Sequence, residues 1–193
     1  MRTGRVVGLA LAVLLGGACS APLDSGPKTL RASSIPADLR PEGSSTTTTT
    51  SPSGEAEDIT VYLIGQDLRL VPVKRRVGTP VTVEKVLQKL FTPPSTAEGV
   101  AGYRTAITFD STVLSARIEN RIVTVDVSKD FAFGPVPEQI IAFAQVVFTA
   151  TELEGVTGVL FTRNGKRLEV PQGDGSSSSA PVGRASYPQV TPR

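Results

Sequence analysis

PEQIIAFAQVVFTATEL, residues Pro137 to Leu153, decides how this chain is read. Ile140, Phe143, Ala144, Val147 and Phe148 recur at helical spacing, while Glu138, Gln145, Thr149 and Glu152 fall on one opposite strip. Pro137 suits the first helical position and Gly155 the residue just past the end. Glu152 and Glu154 run against this pattern, because a helix C-terminus favours cations. Ile141 and Val146 widen the apolar stripe, so the helix is either clamped between layers or offers surface to a partner.

Downstream, EGVTGVLFTRNGKRLEV (154–170) reads as a hairpin turning at Asn164-Gly165, two residues that accept positive φ. Pairing outward from that turn sets Phe161 opposite Leu168 and Val159 opposite Val170 on the face toward the helices. Thr162 and Arg167 take the other face. Pro171 ends the strand.

Upstream, Leu114, Ala116 and Ile118 alternate, Glu119-Asn120-Arg121 turns, and Val123, Val125 and Val127 alternate back, which predicts a second hairpin. An earlier helix is marked by Thr79 as its cap, Pro80 at its first position and the stripe Val83, Val86, Leu87, Leu90 and Phe91. Thr92-Pro93-Pro94 ends it. ITVYLI (59–64) and LRLVPV (68–73) read as strands joined by Gly65-Gln66-Asp67, with Pro72 at an edge or strand end. Residues 95–112 carry little pattern beyond turn signals and one short strand expected at AITF (106–109).

The fold class expected is α+β, with two layers: a mostly antiparallel sheet carrying two amphipathic helices on one face, spanning 58–172. A domain of that size buries close to two-thirds of its unfolded-chain surface. Residues 173–193 form a Gly/Ser/Pro-rich C-terminal tail with one aromatic, Tyr187.

Ahead of this domain stands export machinery. Residues 1–18 carry Arg2 and Arg5, an apolar run from Val6 to Leu15 and small residues before Cys19. That is a lipoprotein signal, too short for a spanning helix, with Cys19 as the lipidation site. Residues 19–57 comprise the lipidated cysteine and a disordered Ser/Thr/Pro-rich tether containing five consecutive threonines, Thr46 to Thr50. As a coil of about 40 residues the tether reaches roughly 35 Å. The expected location is the extracytoplasmic face of the cell membrane, lipid-anchored.

The residue inventory then excludes much chemistry. There is no histidine, which removes the commonest general base and metal ligand, and no second cysteine to form an intramolecular disulfide. The chain has 20 basic and 18 acidic residues, and loss of Arg2 and Arg5 with the signal leaves a formal net charge of zero. No nucleic-acid partner is expected. Asp126, Asp130 and Glu119 are the nearest carboxylate cluster, with a solvated strand face as their plainer reading. No catalytic residues, metal site or cofactor are therefore expected. Lys74-Arg75-Arg76, placed in a loop between strand and helix, is the one tight basic cluster. With Gln145 it forms the expected interaction surface, the cluster being suited to anionic lipid or wall polymer.

The segments TVEKVLQKLFTPP (82–94), IENRIVTVDVSKDF (118–131) and AQVVFTATELEGVTGVLFTRNG (144–165), with the EVPQGDG exit (169–175), resemble the GerMN domain of sporulation and germination lipoproteins. The departure is GYRTAITFD (102–110), where that family has a Gly/Ser- and Pro-containing turn. The resemblance implies a membrane-tethered, extracytoplasmic, non-enzymatic interaction module. Its partner would be an envelope protein, such as one in envelope assembly or a sensor kinase, or a second copy of itself. A module binding cell-wall polymer or peptidoglycan is the alternative. No residue-level active site carries over, because the family pattern defines a core.

Overall fold

A computed structural model describes residues 55–192. The signal, Cys19 and the tether up to residue 54 lie outside the described residues.

β1 (Ala56–Ile64) and β2 (Leu70–Gly78) pair as a two-stranded antiparallel ribbon. The turn between them is closed by a 2.8 Å bond from the Gly65 N–H to the Arg69 carbonyl, so β2 starts later than expected. It also runs through Pro72, which faces Tyr62 and needs no second partner because β2 is an edge. α1 (Val83–Phe91) is capped by Thr82, whose hydroxyl accepts the Lys85 N–H, and not by Thr79. Thr79 instead donates its N–H and its hydroxyl to the Glu55 carbonyl, prolonging the ribbon. The predicted stripe Val83, Val86, Leu87 and Leu90 is buried.

The region with little pattern contains a short helix, α2 (Thr96–Val100), held by a capping box in which Ser95 and Glu98 satisfy each other's backbone N–H groups. No strand forms at 106–109; the chain there is tied to β1 by the Ile64–Arg104 bridge, 2.8 and 2.9 Å.

β3 (Val113–Glu119), β4 (Ile122–Val127), β5 (Gly158–Arg163) and β6 (Lys166–Arg167) form a four-stranded sheet in that order. Asn120 and Arg121 turn the first hairpin with φ of 50° and 67°, the two left-handed residues that a tight hairpin requires. A bulge between Val113 and Ser115 takes Leu114 out of the alternation, leaving it 49% exposed. β4 and β5 are parallel, because α3 (Val136–Ala150) carries the chain back between them. Every other strand pair is antiparallel.

The Asn164-Gly165 hairpin keeps its predicted register as far as Leu168, whose N–H donates to the Phe161 carbonyl over 3.0 Å. Beyond that the expected Val159–Val170 pairing gives way. Val159 exchanges bonds of 2.8 and 2.9 Å with Val182, while Val170 pairs with Ser178 between β7 (Val170–Pro171) and β8 (Ser177–Ser178). The C-terminal segment has returned to occupy the sheet edge. Val182, Tyr187 and Val190 of that segment are buried, so the core extends past 172.

α3 packs against β1, β5, β7 and α1. Its first residue is Val136, with Pro137 second, and it stops at Ala150; Gly155, at φ 77°, closes the following turn. Every residue from Ala142 to Ala150 is buried. Four phenylalanines join helices to sheet: Phe131 stacks on Phe91 at 5.4 Å and meets Phe143 edge-on at 5.2 Å, and Phe143 meets Phe161 at 4.9 Å. Such pairs each contribute about 0.5–1.5 kcal/mol beyond burial.

Candidate functional site

Gln145 is not on the surface. It is fully buried, with its amide donating to the Tyr62 carbonyl at 2.8 Å and its oxygen accepting the Ala106 N–H at 2.8 Å. One turn later, buried Thr149 accepts the Tyr62 N–H at 3.0 Å. Together they satisfy the backbone edge of β1 that faces away from β2. The polar strip of α3 is thus a set of internal connectors, which removes Gln145 from the expected interaction surface.

The basic cluster is also redistributed. Lys74, Arg75 and Arg76 lie on β2, not in a loop, and a strand sends successive side chains to opposite faces. Lys74 and Arg76 are exposed; Lys74 reaches the Thr60 hydroxyl at 2.8 Å. Arg75 turns inward, its side chain 11% exposed, and pairs with Glu98 in a two-pronged contact of 2.9 and 2.8 Å. The same guanidinium donates to the carbonyls of Thr92, at 2.9 Å, and Lys89, capping the end of α1. The Arg75 guanidinium holds the Glu98 carboxyl below its ordinary range.

A second arginine does the same for α3. Arg184 donates to the Phe148 carbonyl at 3.1 Å and to Glu152 at 2.7 Å, and lies over the rings of Phe148 and Tyr62 at 5.0 and 5.4 Å. This supplies the cation that the acidic end of α3 lacked in sequence. Hydrogen bonding from Arg184 pulls the Glu152 carboxyl down, and burial pushes the Tyr62 hydroxyl up. No local signal marks Arg184, since its partners are more than thirty positions away.

The three carboxylates of the sequence cluster have separate duties. Asp126 accepts from the Thr162 hydroxyl at 2.7 Å and from the Gly165 N–H at 3.0 Å, pinning the hairpin turn. Asp130 pairs with Lys129, and Glu119 with Arg117. Among the described residues no group of three or more His, Cys, Asp or Glu side chains is placed to hold a metal ion.

What the surface offers instead is apolar. Phe109, Phe133, Val136 and Leu68 are 85%, 82%, 56% and 55% exposed. Leu68, Pro137 and Ile141 line two adjoining depressions of about 530 and 330 Å³ beside the start of α3. Leu68 holds its position at φ 60°, an uncommon conformation for a bulky residue. The loops bearing Phe109 and Phe133 are tied by a 2.8 Å bond from the Thr108 hydroxyl to the Asp130 carbonyl. This surface, not the basic cluster, is the candidate site. Sequence spacing missed it because its residues come from three separate turns and one helix end.

The family described as "Germane: Sporulation and spore germination" matches residues 60–169. The chain belongs to this family. Its fold is that of the tandem GerMN domains of the sporulation protein GerM from Bacillus subtilis, at TM-score 0.56 and 24% identity over 71% of this chain and 48% of that one. The chain thus spans about half the length of the tandem protein. The first GerMN domain of GerM alone aligns at TM-score 0.51 and 20% identity, covering 67% of this chain and 98% of that domain. No curated protein sequence matches the chain.

Within this GerMN domain the matched segment contains all three helices and the four-stranded sheet, including Gln145 and Arg75. Val182, Arg184 and Tyr187 lie beyond it, so the C-terminal segment adds to the shared core. Among the described residues no helix is long and apolar enough to cross a membrane.

Proposed function

We propose that this protein is a lipid-anchored, extracytoplasmic module in which Cys19 fixes the chain to the membrane, the tether gives reach, and the GerMN domain docks an envelope protein without catalysing a reaction. The observation that carries the docking reading is the accessible apolar surface formed by Leu68, Phe133, Val136 and Ile141 at the start of α3. Apolar groups in that concentration mark interaction surfaces more often than they decorate a monomer. The partner belongs to envelope assembly or to sensor-kinase regulation.

The test has two parts. Cys19→Ser should move the protein from the membrane to the soluble extracytoplasmic fraction. Photo-cross-linking in cells from positions 68 and 136 should yield a discrete protein adduct, whereas position 117 on the exposed β3 strand should not. Co-sedimentation with cell-wall sacculi and no protein adduct would instead support a wall-binding module acting through Lys74 and Arg76.

A further inference from the structure

A third pocket, of about 490 Å³, lies beside the apolar surface and differs from it in chemistry. Its walls include Phe131, Phe133, Phe143 and Leu168, and its charged lining groups are Lys129, Arg163 and Glu169. The loop that shapes it is strained: Ala132 sits at φ 53°, between a fully buried Phe131 and an 82% exposed Phe133. Arg163 reaches the pocket from the end of β5, anchored by a 3.0 Å bond from its guanidinium to the Phe131 carbonyl. Its Nε is buried and has no hydrogen-bond partner. A buried guanidinium N–H without a partner is costly, on the order of 1–3 kcal/mol, and marks the position where an acceptor is favoured.

We propose that this pocket binds a carboxylate carried on an apolar residue, as presented by the C-terminus of a peptide chain. One ammonium, one guanidinium and one carboxylate give the lining a single net positive charge, which suits a monoanion better than a phosphate dianion. A guanidinium presents the planar fork that matches a carboxylate. The positive end of α3, a 15-residue helix whose Gln139 also lines the pocket, adds attraction for an anion. Phe133 and Leu168 supply apolar surface for the last side chain. Capture of a terminal carboxylate is an established mode of peptide recognition. The inference rests on reading the domain as an interaction module, and names the chemistry its partner presents.

The probe is the acetylated tripeptide Ala-Ala-Phe as its free acid and as its C-terminal amide, titrated into the full chain in detergent micelles and followed by amide NMR. The acid should perturb Phe131–Gly134 and Leu168–Glu169 and bind at least tenfold more tightly than the amide. Arg163→Met should abolish the difference. Because Arg163 also anchors Phe131, Lys129→Gln, at an exposed position, serves as the second variant and should weaken the acid severalfold with the fold intact. Equal binding of acid and amide, no perturbation at millimolar peptide, or an unchanged acid preference in both variants would overturn the assignment. Membrane anchoring and cross-linked adducts are read separately, so failure here is distinguishable from failure of the docking reading.

Discussion

Gln145 donates its side-chain amide to the carbonyl of Tyr62 over 2.8 Å, across a sequence separation of 83 residues. The bond closes the exposed edge of β1 with a helix instead of another strand. Open edges invite pairing with other chains, and here α3 covers the one that β2 leaves free. Thr149, four residues on, completes the cover at the Tyr62 N–H. The two side chains together make one strand position fully satisfied in the interior.

Gln145→Leu should therefore destabilise the domain by about 3 kcal/mol, since the Tyr62 carbonyl and the Ala106 N–H would both be left buried and unpaired. Urea unfolding would measure it. A loss below about 1 kcal/mol would mean that water replaces the amide. Lys74→Ala, at an exposed position, should by contrast change stability by less than about 0.5 kcal/mol.

The Arg75–Glu98 pair predicts acid sensitivity. Glu98 titrates below its ordinary value of 4.5, and Glu152 is shifted the same way by Arg184. A lowered folded-state value adds stability that is present above pH 4.5 and lost as pH falls through the folded-state value. Thermal melting should accordingly drop on acidification below about pH 4.5. Glu98→Gln should lower the melting temperature at neutral pH and flatten the acid limb. An acid limb unchanged in that variant would place the sensitivity elsewhere.

Tyr187 offers the opposite case. Its side chain is fully buried, its hydroxyl has no hydrogen-bond partner, and burial raises its pKa above the ordinary value of 10.0. Tyr187→Phe should leave stability unchanged or raise it, by up to about 1–2 kcal/mol, because only an unsatisfied polar group is removed. A raised folded-state value also means stability is lost as pH climbs past 10. The variant should lose less of it there. Calorimetry at neutral and alkaline pH would decide.

Arg184 ties the C-terminal segment to α3 through three hydrogen-bonded partners and two aromatic rings. Arg184→Ala should cost about 2–3 kcal/mol, by analogy with other partly desolvated charge-assisted hydrogen bonds. A stop codon after Ser176 should do more, because it also removes buried Val182, Tyr187 and Val190. If the truncated chain melted like the full one, the segment would be an accessory and not a part of the core.

How much of this was legible in advance depends on the range of the interactions involved. The helix at 136–150, the stripe on α1, the 113–127 hairpin and the Asn164-Gly165 turn each rest on neighbours within a few positions, and periodicity or turn chemistry specifies them. The capping box of α2 was equally local, as Ser95 followed three residues on by Glu98, but without an apolar run around it nothing drew attention to it. The buried state of Gln145 was half-legible: it sits between Ala144 and Val146 in a segment apolar on nearly every side, the mark of a helix enclosed all round.

What the sequence determined by itself was the set of local elements and the absence of histidine chemistry, because both follow from residue type and short spacing. The tertiary structure alone decided that Arg75 and Arg184 cap helices far away in the chain, that β4 and β5 run parallel, and that Val182 takes the place beside Val159. Those outcomes turn on which distant segment reaches an unsatisfied backbone group or strand edge first. That contest between segments leaves no periodic trace in the order of the residues.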